Sequence, residues 1–159
     1  MTNILIIKHG SLGDLIQANG AIEDIKKSNL KSHVVLLTSS HYFDLMNRCP
    51  YIDEVLIDRR LPRWNLFYLY KLKKKLDSYS FTHIFDLQNS NRTKFYSKYL
   101  LNQSKWSSTQ TTLEPGQLKS NFDEEPVLKR MEMQLKKSGI KTENVKKSNL
   151  NWAVVNIRD

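Results

Sequence analysis

An apolar tetrad, Ile4-Leu5-Ile6-Ile7, runs directly into Lys8-His9-Gly10-Ser11-Leu12-Gly13-Asp14, and an amphipathic segment follows. A short apolar run that passes through small residues into helical periodicity reads as a buried strand, a tight turn and a helix start. This unit constrains the fold more than any other part of the chain. In an open α/β sheet such a turn lies at the carboxyl end of its strand, where ligands bind. Lys8 and Asp14 therefore stand where chemistry is expected.

The pattern repeats. Apolar runs recur at Val34–Leu37, Glu54–Ile57 and His83–Leu87, with helical patterns between them. Leu15, Ile16, Asn19, Ile22 and Ile25 fall on one helical face, with Lys26 and Lys27 in the final turn. A short helix is expected over Tyr42–Met46, a longer one over Trp64–Tyr79, and another over about Arg92–Leu101. Alternating strands and helices imply right-handed βαβ units and a parallel sheet. The expected fold is α/β: a doubly wound, Rossmann-like sheet flanked by helices. After Leu101 the pattern weakens. Residues 102–121 hold Ser, Thr, Gln, Gly and Pro with few apolar side chains, and read as a long loop. Glu124–Ser138 is helical again, with Val127, Leu128, Met131 and Leu135 on one face, Pro126 in the first turn and Gly139 at the end. Leu150–Ile157 is a last apolar run.

The 159 residues suit one domain, and 40% hydrophobic residues suffice for a core. No apolar run approaches a membrane span and no signal peptide precedes the first strand, so a cytoplasmic location is expected. Cys49 is the lone cysteine and reads as a small buried apolar residue. His9, His33, His41 and His83 show no metal-ligand spacing, so neither metal nor cofactor is expected. Of the four, only His9 lies in the candidate turn. The net charge of +9 points to an anionic partner. Nucleic acid, an acidic membrane face and a phosphorylated glycolipid all satisfy it, as does solubility alone, since lysines outnumber arginines.

Two stretches resemble a known family. Ile4 to Lys8, then Ser11-Leu12-Gly13-Asp14, is similar to the opening of the bacterial heptosyltransferases, glycosyltransferase family 9, which build the inner core of lipopolysaccharide. Lys8, Ser11, Gly13 and Asp14 match. His9 and Gly10 depart, because the family carries Ser or Thr there. Phe85-Asp86-Leu87-Gln88-Asn89-Ser90-Asn91-Arg92 resembles the family's Asp-x-Gln followed by a basic residue, with Asp86, Gln88 and Arg92 matching. The resemblance implies the GT-B arrangement of two Rossmann-like domains facing a cleft, the first holding the acceptor and the second the nucleotide sugar. Residues 1–159 would be the N-terminal, acceptor-side domain alone. The donor-binding domain would be missing, the chain a fragment, and the fragment inactive by itself.

The same resemblance makes Asp14 the general base that takes the acceptor hydroxyl's proton during an inverting transfer of a heptose-like sugar from an ADP-heptose type of donor. Apart from it, Asp14 reads as a carboxylate favoured by the helix macrodipole. Gly13 reads as a tight-turn residue that permits close approach, and Ser11 as a cap and hydroxyl donor. Lys8 either pairs with Asp14, meets an acceptor phosphate or carboxylate, or simply ends a strand at the surface. Arg59, Arg60 and Arg63 follow the third strand. Three arginines so close together are a better anion signal than scattered lysines, and the family carries basic residues there for Kdo sugars or core phosphates. Gln88 could bond a sugar hydroxyl and Arg92 an acidic group, while Asp86 reads as structural. The implied partners are the nucleotide sugar, through the missing domain, and an acidic glycolipid, with peripheral contact at the inner face of the cytoplasmic membrane. The alternative is a basic Rossmann-like module binding nucleic acid or another anion. No nucleic-acid motif supports it, and Tyr68, Tyr70, Phe95, Tyr96 and Tyr99 fall in helical patterns that core packing explains better than base stacking.

Overall fold

The computed structural model describes residues 1–147 and 149–154. Five parallel strands form one sheet in the order β3-β2-β1-β4-β5. They are β1 (Asn3–Ile7), β2 (His33–Thr38), β3 (Glu54–Ile57), β4 (His83–Asp86) and β5 (Lys105–Ser107). Between and after them run α1 (Leu12–Ser28), α2 (Phe43–Met46), α3 (Leu66–Asp77), α4 (Asn91–Tyr99), α5 (Thr109–Thr112), α6 (Lys119–Asp123) and α7 (Val127–Lys137). β1 is central, with Ile4 opposite Val34 on β2 and His83 on β4. The strand order reverses between β1 and β4, and such a switch point opens a crevice at the carboxyl edge of the sheet.

The strands are apolar throughout because both faces are covered. Alternate residues point to opposite sides. Ile4, Ile6, Val34 and Leu36 pack with Ala18, Ile22 and Ile25 of α1 and Leu135 of α7. Leu5, Ile7, Val35 and Leu37 pack with Leu69, Leu72 and Leu76 of α3 and Tyr96 of α4. The sheet therefore separates two apolar layers, and every expected strand and longer helix is present within a few residues of its expected bounds. Ile16 differs from expectation. It is 40% exposed rather than part of the buried face of α1.

The largest correction concerns residues 102–121, expected as a loop. The segment carries β5, which pairs in parallel with β4 through His83–Lys105 and Phe85–Ser107, as well as α5 and the start of α6. Its buried side chains include the hydroxyls of Ser107, Ser108, Thr109 and Thr112. The Thr112 hydroxyl donates to the Ser108 carbonyl at 2.7 Å, and the Ser107 hydroxyl accepts from the Ser138 hydroxyl at 2.6 Å. A strand three residues long whose one fully buried residue is Ser107 gives no apolar periodicity to read.

The segment after α7 returns to α1. The Asp24 carboxylate accepts the amides of Asn144 (2.9 and 3.0 Å) and Val145 (3.1 Å). Asn19 donates to the Asn149 carbonyl at 3.1 Å and accepts the Trp152 indole N–H at 3.2 Å. Of the last apolar run, Asn151–Ala153 makes one 3₁₀ turn, and residues 155–157 lie outside the described residues. No helix among the described residues is long and apolar enough to cross a membrane.

Gly20 is what lets this segment lie against α1. A Cβ at that position would stand 1.9 Å from the Asn144 carbonyl oxygen, a backbone atom with nowhere to go. Gly20→Ala should therefore destabilise the protein by about 1–3 kcal/mol, the usual cost of overpacking. Gly13→Ala meets nothing within 4 Å, and should stabilise α1 by up to about 1 kcal/mol through helix propensity. Urea denaturation midpoints of the two variants check the opposite signs.

Candidate functional site

The turn after β1 is built around Gly10. Its φ of 130° is closed to other residues, and a Cβ there would press within 2.5 Å of the Tyr42 ring. The tight-turn role expected for Gly13 therefore belongs to Gly10. Gly13 lies inside the first turn of α1, and its missing side chain leaves open space rather than room for a neighbour.

Ser11 caps α1 and Asp14 occupies the third helical position. The Asp14 carboxylate reaches back through Oδ2 to accept the Ser11 amide at 2.7 Å and the Ser11 hydroxyl at 3.2 Å. This half of a capping box satisfies an N–H that helix geometry would orphan. It also fixes the carboxylate. Oδ1 has no hydrogen-bond partner among the described residues.

Asp14 borders a cavity of about 220 Å³ at the switch point, together with Lys8, Gln88, Asn89 and Arg130. Lys8 follows β1 and donates to the Leu87 carbonyl at 3.0 Å, with no ion pair to Asp14. Burial lowers its pKa, against the opposing pull of the Asp14 and Asp86 charges. The Gln88 side-chain oxygen accepts the His9 amide at 3.1 Å, which turns its NH₂ group away from that bond. Asp86, just before, is buried and structural as expected, its Oδ1 accepting the amides of Gln88 (3.0 Å) and Asn89 (2.8 Å). Burial raises its pKa despite those bonds.

Arg130, on α7, had no sequence signal of its own, because it lies on a helix far along the chain. Its Nε donates to the Glu125 carbonyl at 3.0 Å, and its guanidinium lies 3.8 Å from Asp123. The cavity thus joins two cations and one carboxylate. No group of three His, Cys, Asp or Glu among the described residues could hold a metal ion.

The four arginines divide. Arg92, on α4, donates to the Tyr96 hydroxyl and to the Arg60 carbonyl, both at 3.3 Å. The Arg63 guanidinium lies 5.5 Å over the Phe95 ring. Arg60, Arg63 and Arg92 therefore gather where the β3–α3 loop meets α4. Arg59 lines a different cavity, between β3 and α3. None of the four borders the Asp14 cavity.

Beneath the arginines lies Asp58, 1% exposed, which the sequence reading did not single out. Its carboxylate meets His9 Nε2 at 2.8 Å, the Tyr96 hydroxyl at 2.6 Å, the Arg60 amide at 2.9 Å and the Tyr68 hydroxyl. The available signal was an aspartate directly after an apolar run, as at Asp86. His9 is 1% exposed. Its bond to Asp58 makes it a buried tie between two strand ends. Tyr68 and Tyr96 are core residues, whereas Tyr70 and Tyr99 are 62% and 55% exposed, against the expectation of core packing for the whole set.

No family model matches the chain. A "Putative glycosyltransferase" of Haemophilus influenzae is 40% identical over 60 residues, 38% of this chain and 17% of that protein. The family 9 glycosyl transferase structure from Veillonella parvula superposes with a TM-score of 0.67 at 17% identity, covering 90% of this chain and 43% of that one. The Escherichia coli heptosyltransferase WaaC, solved with ADP, gives a TM-score of 0.62 at 13% identity, covering 96% and 51%. The fold is the one seen in heptosyltransferases. The chain spans about half the length of the solved structures it matches.

Burial alone would raise the Asp58 carboxyl, but the bonds from His9, Tyr68, Tyr96 and the Arg60 amide outweigh it and hold it at about 2. A carboxyl depressed from 3.8 to about 2 stabilises the fold above its unfolded value, and that gain disappears as pH falls through its folded value. Asp58→Asn should therefore lower stability at neutral pH. The gap to the parent protein should shrink by something on the order of 2 kcal/mol between about pH 5 and pH 2. A gap independent of pH in denaturant titrations would contradict the network.

Proposed function

We propose that the chain is the acceptor-side domain of an inverting glycosyltransferase of the heptosyltransferase type. It would present a lipopolysaccharide-core acceptor to a nucleotide sugar held by a second domain. The observation that carries this reading is the Asp14 carboxylate at the switch-point cavity, clamped through Oδ2 and with no partner at Oδ1 among the described residues. A base must lie within hydrogen-bond reach of the hydroxyl it deprotonates, in a fixed orientation. In the proposed step the acceptor oxygen attacks the anomeric carbon, the bond from that carbon to the nucleotide breaks, and the acceptor proton passes to Oδ1. Attack opposite the leaving group inverts the centre. The ADP-heptose identity of the donor is supported by the shared fold, one example of which was solved with ADP.

The residues around Asp14 suit an acidic sugar. Lys8 and Arg130 supply positive charge within the cavity, and the Gln88 amide supplies a neutral donor. Arg60, Arg63 and Arg92 form a second basic group on the same edge of the sheet, suited to a phosphate or carboxylate further along the acceptor.

In a two-domain form of the protein, Asp14→Asn should leave acceptor binding intact and reduce turnover by about 10²–10⁴-fold, the range for general-base catalysis. Near-normal turnover would remove Asp14 from the mechanism. Alanine at both Arg92 and Arg130 should weaken binding of a phosphorylated or Kdo-bearing glycan by about tenfold or more, the scale of charge-assisted hydrogen bonds. A neutral glycan should be unaffected. Calorimetry on both ligands, at low and high salt, separates the cases.

A further inference from the structure

Asp58 controls both contacts of Arg92. Arg92 Nη1 donates to the Tyr96 hydroxyl and Nη2 to the Arg60 carbonyl, each at 3.3 Å. The Tyr96 hydroxyl donates onward to Asp58 Oδ2 at 2.6 Å, and the Arg60 amide donates to Asp58 Oδ1 at 2.9 Å. One carboxylate therefore fixes the two acceptors that hold the guanidinium. The remaining N–H groups of Arg92, Nε among them, have no partner among the described residues.

Each link is directional. Arg92 and Tyr96 lie four residues apart on α4, so they share a face. Burial and the Asp58 charge push the Tyr96 hydroxyl up to about 12, which keeps its proton in place at neutral pH. That proton goes to Asp58, so the phenol oxygen is left to accept from Arg92. A hydroxyl polarised by a carboxylate is also the better acceptor. Arg60 has a φ of 50°, a left-handed conformation that costs energy in any residue with a side chain and persists where its surroundings enforce it. The bond from its amide to Asp58 enforces it here, and its carbonyl is the one that Arg92 meets.

Stability alone does not call for this arrangement. Well-packed apolar side chains in the same volume often stabilise a fold as much as a buried charge does. What they cannot do is hold a guanidinium in one orientation. We infer that Asp58 and Tyr96 are positioning residues, which hold Arg92 ready for a carboxylate or phosphate of the ligand without touching that ligand themselves. The inference rests on the reading of Arg60, Arg63 and Arg92 as a group that binds an acidic acceptor. An arginine held before binding loses less rotamer freedom when the anion arrives. Its planar fork can then meet the anion through two parallel bonds.

The test titrates a synthetic Kdo disaccharide, an anionic sugar, into the chain of residues 1–159. Affinity is read by calorimetry, and the arginine Nε–H signals are followed by nuclear magnetic resonance. In the parent protein the Arg92 signal should stand apart from those of mobile arginines. Tyr96→Phe removes one hydroxyl. It should merge that signal with the others and weaken binding by about three- to tenfold, the scale of ordering one long side chain on binding. Tyr68→Phe also removes a hydroxyl that bonds Asp58, but not one that meets Arg92. It should lower stability and leave both readouts unchanged. Arg92→Ala should weaken binding more than Tyr96→Phe does, and the double variant should bind no worse than Arg92→Ala, because Tyr96 acts through Arg92. Arg92→Lys keeps the charge without the fork. It should also weaken binding, and it serves in place of Tyr96→Phe if that variant does not fold. Parent affinity in Tyr96→Phe or Arg92→Lys, beside a loss in Arg92→Ala, overturns the inference and leaves the acceptor reading standing. An equal loss in Tyr68→Phe, or additive losses in the double variant, overturns it too. No effect of Arg92→Ala, or no binding by the parent, removes the acceptor role of the arginines and the inference with it.

Discussion

One buried carboxylate holds the carboxyl edge of the sheet together. Asp58 ends β3, and its two oxygens reach His9 after β1, Tyr68 on α3, Tyr96 on α4 and the Arg60 amide in the next loop. Isolated in the interior, an ionised carboxylate would be prohibitively costly. With four donors around it the charge becomes an anchor that fixes two strand ends and two helices relative to each other. Arg92 joins the network through the Tyr96 hydroxyl, so the position of a basic side chain at the surface is set by a group buried beneath it. Networks of this sort rigidify only when fully satisfied. Asp58 meets that condition.

Asp86 and Asp24 repeat the device with different balances. Asp86 ends β4 and shapes the loop that carries Gln88 and Asn89. Asn89 then bonds Gln134 and the Thr109 amide, tying α7 and the start of α5 to the same loop. Burial dominates at Asp86 and pushes its pKa up, whereas hydrogen bonds dominate at Asp58 and pull its pKa down. The difference follows from the partners. Asp58 has side-chain donors from three aromatic rings, while Asp86 relies mainly on local backbone amides and a threonine. Asp24 binds the amides of the segment after α7. Strand-end and helix carboxylates thus do at three places what turn chemistry alone could not, holding irregular backbone in register with the sheet.

The sheet was legible because β1 to β4 are apolar runs and their helices repeat at helical spacing. β5 was not, because it is three residues long and its one fully buried residue, Ser107, is a hydroxyl whose burial depends on partners such as Gln134, distant in sequence. The turn after β1 was located correctly, but its parts were misassigned. The need for glycine at Gly10 comes partly from Tyr42, thirty-odd residues away, and no local pattern encodes that contact. His9 stood out as a histidine in a candidate turn, and only the three-dimensional meeting with Asp58 makes it a tie. The arginines read as one cluster since they are near one another along the chain. The chain direction through the β3–α3 loop sends Arg59 to one side and Arg60 and Arg63 to the other. Arg130 reaches the cavity only because α7 folds back over α1, so no local reading could place it.

On the proposed mechanism Asp14 would serve two purposes without conflict. A helix N-terminus favours a carboxylate at the third position for capping and for the macrodipole. Those same preferences explain an aspartate there with no chemistry at all, so residue identity alone decides nothing. The geometry adds a distinction between the two oxygens. Both bonds from Ser11 go to Oδ2, which leaves Oδ1 without a donor among the described residues, at the edge of a cavity lined by Lys8 and Arg130. On that proposal the capping interaction is the positioning device. It holds the carboxylate rigid at no further entropic cost, because the helix start has already ordered the residues that hold it.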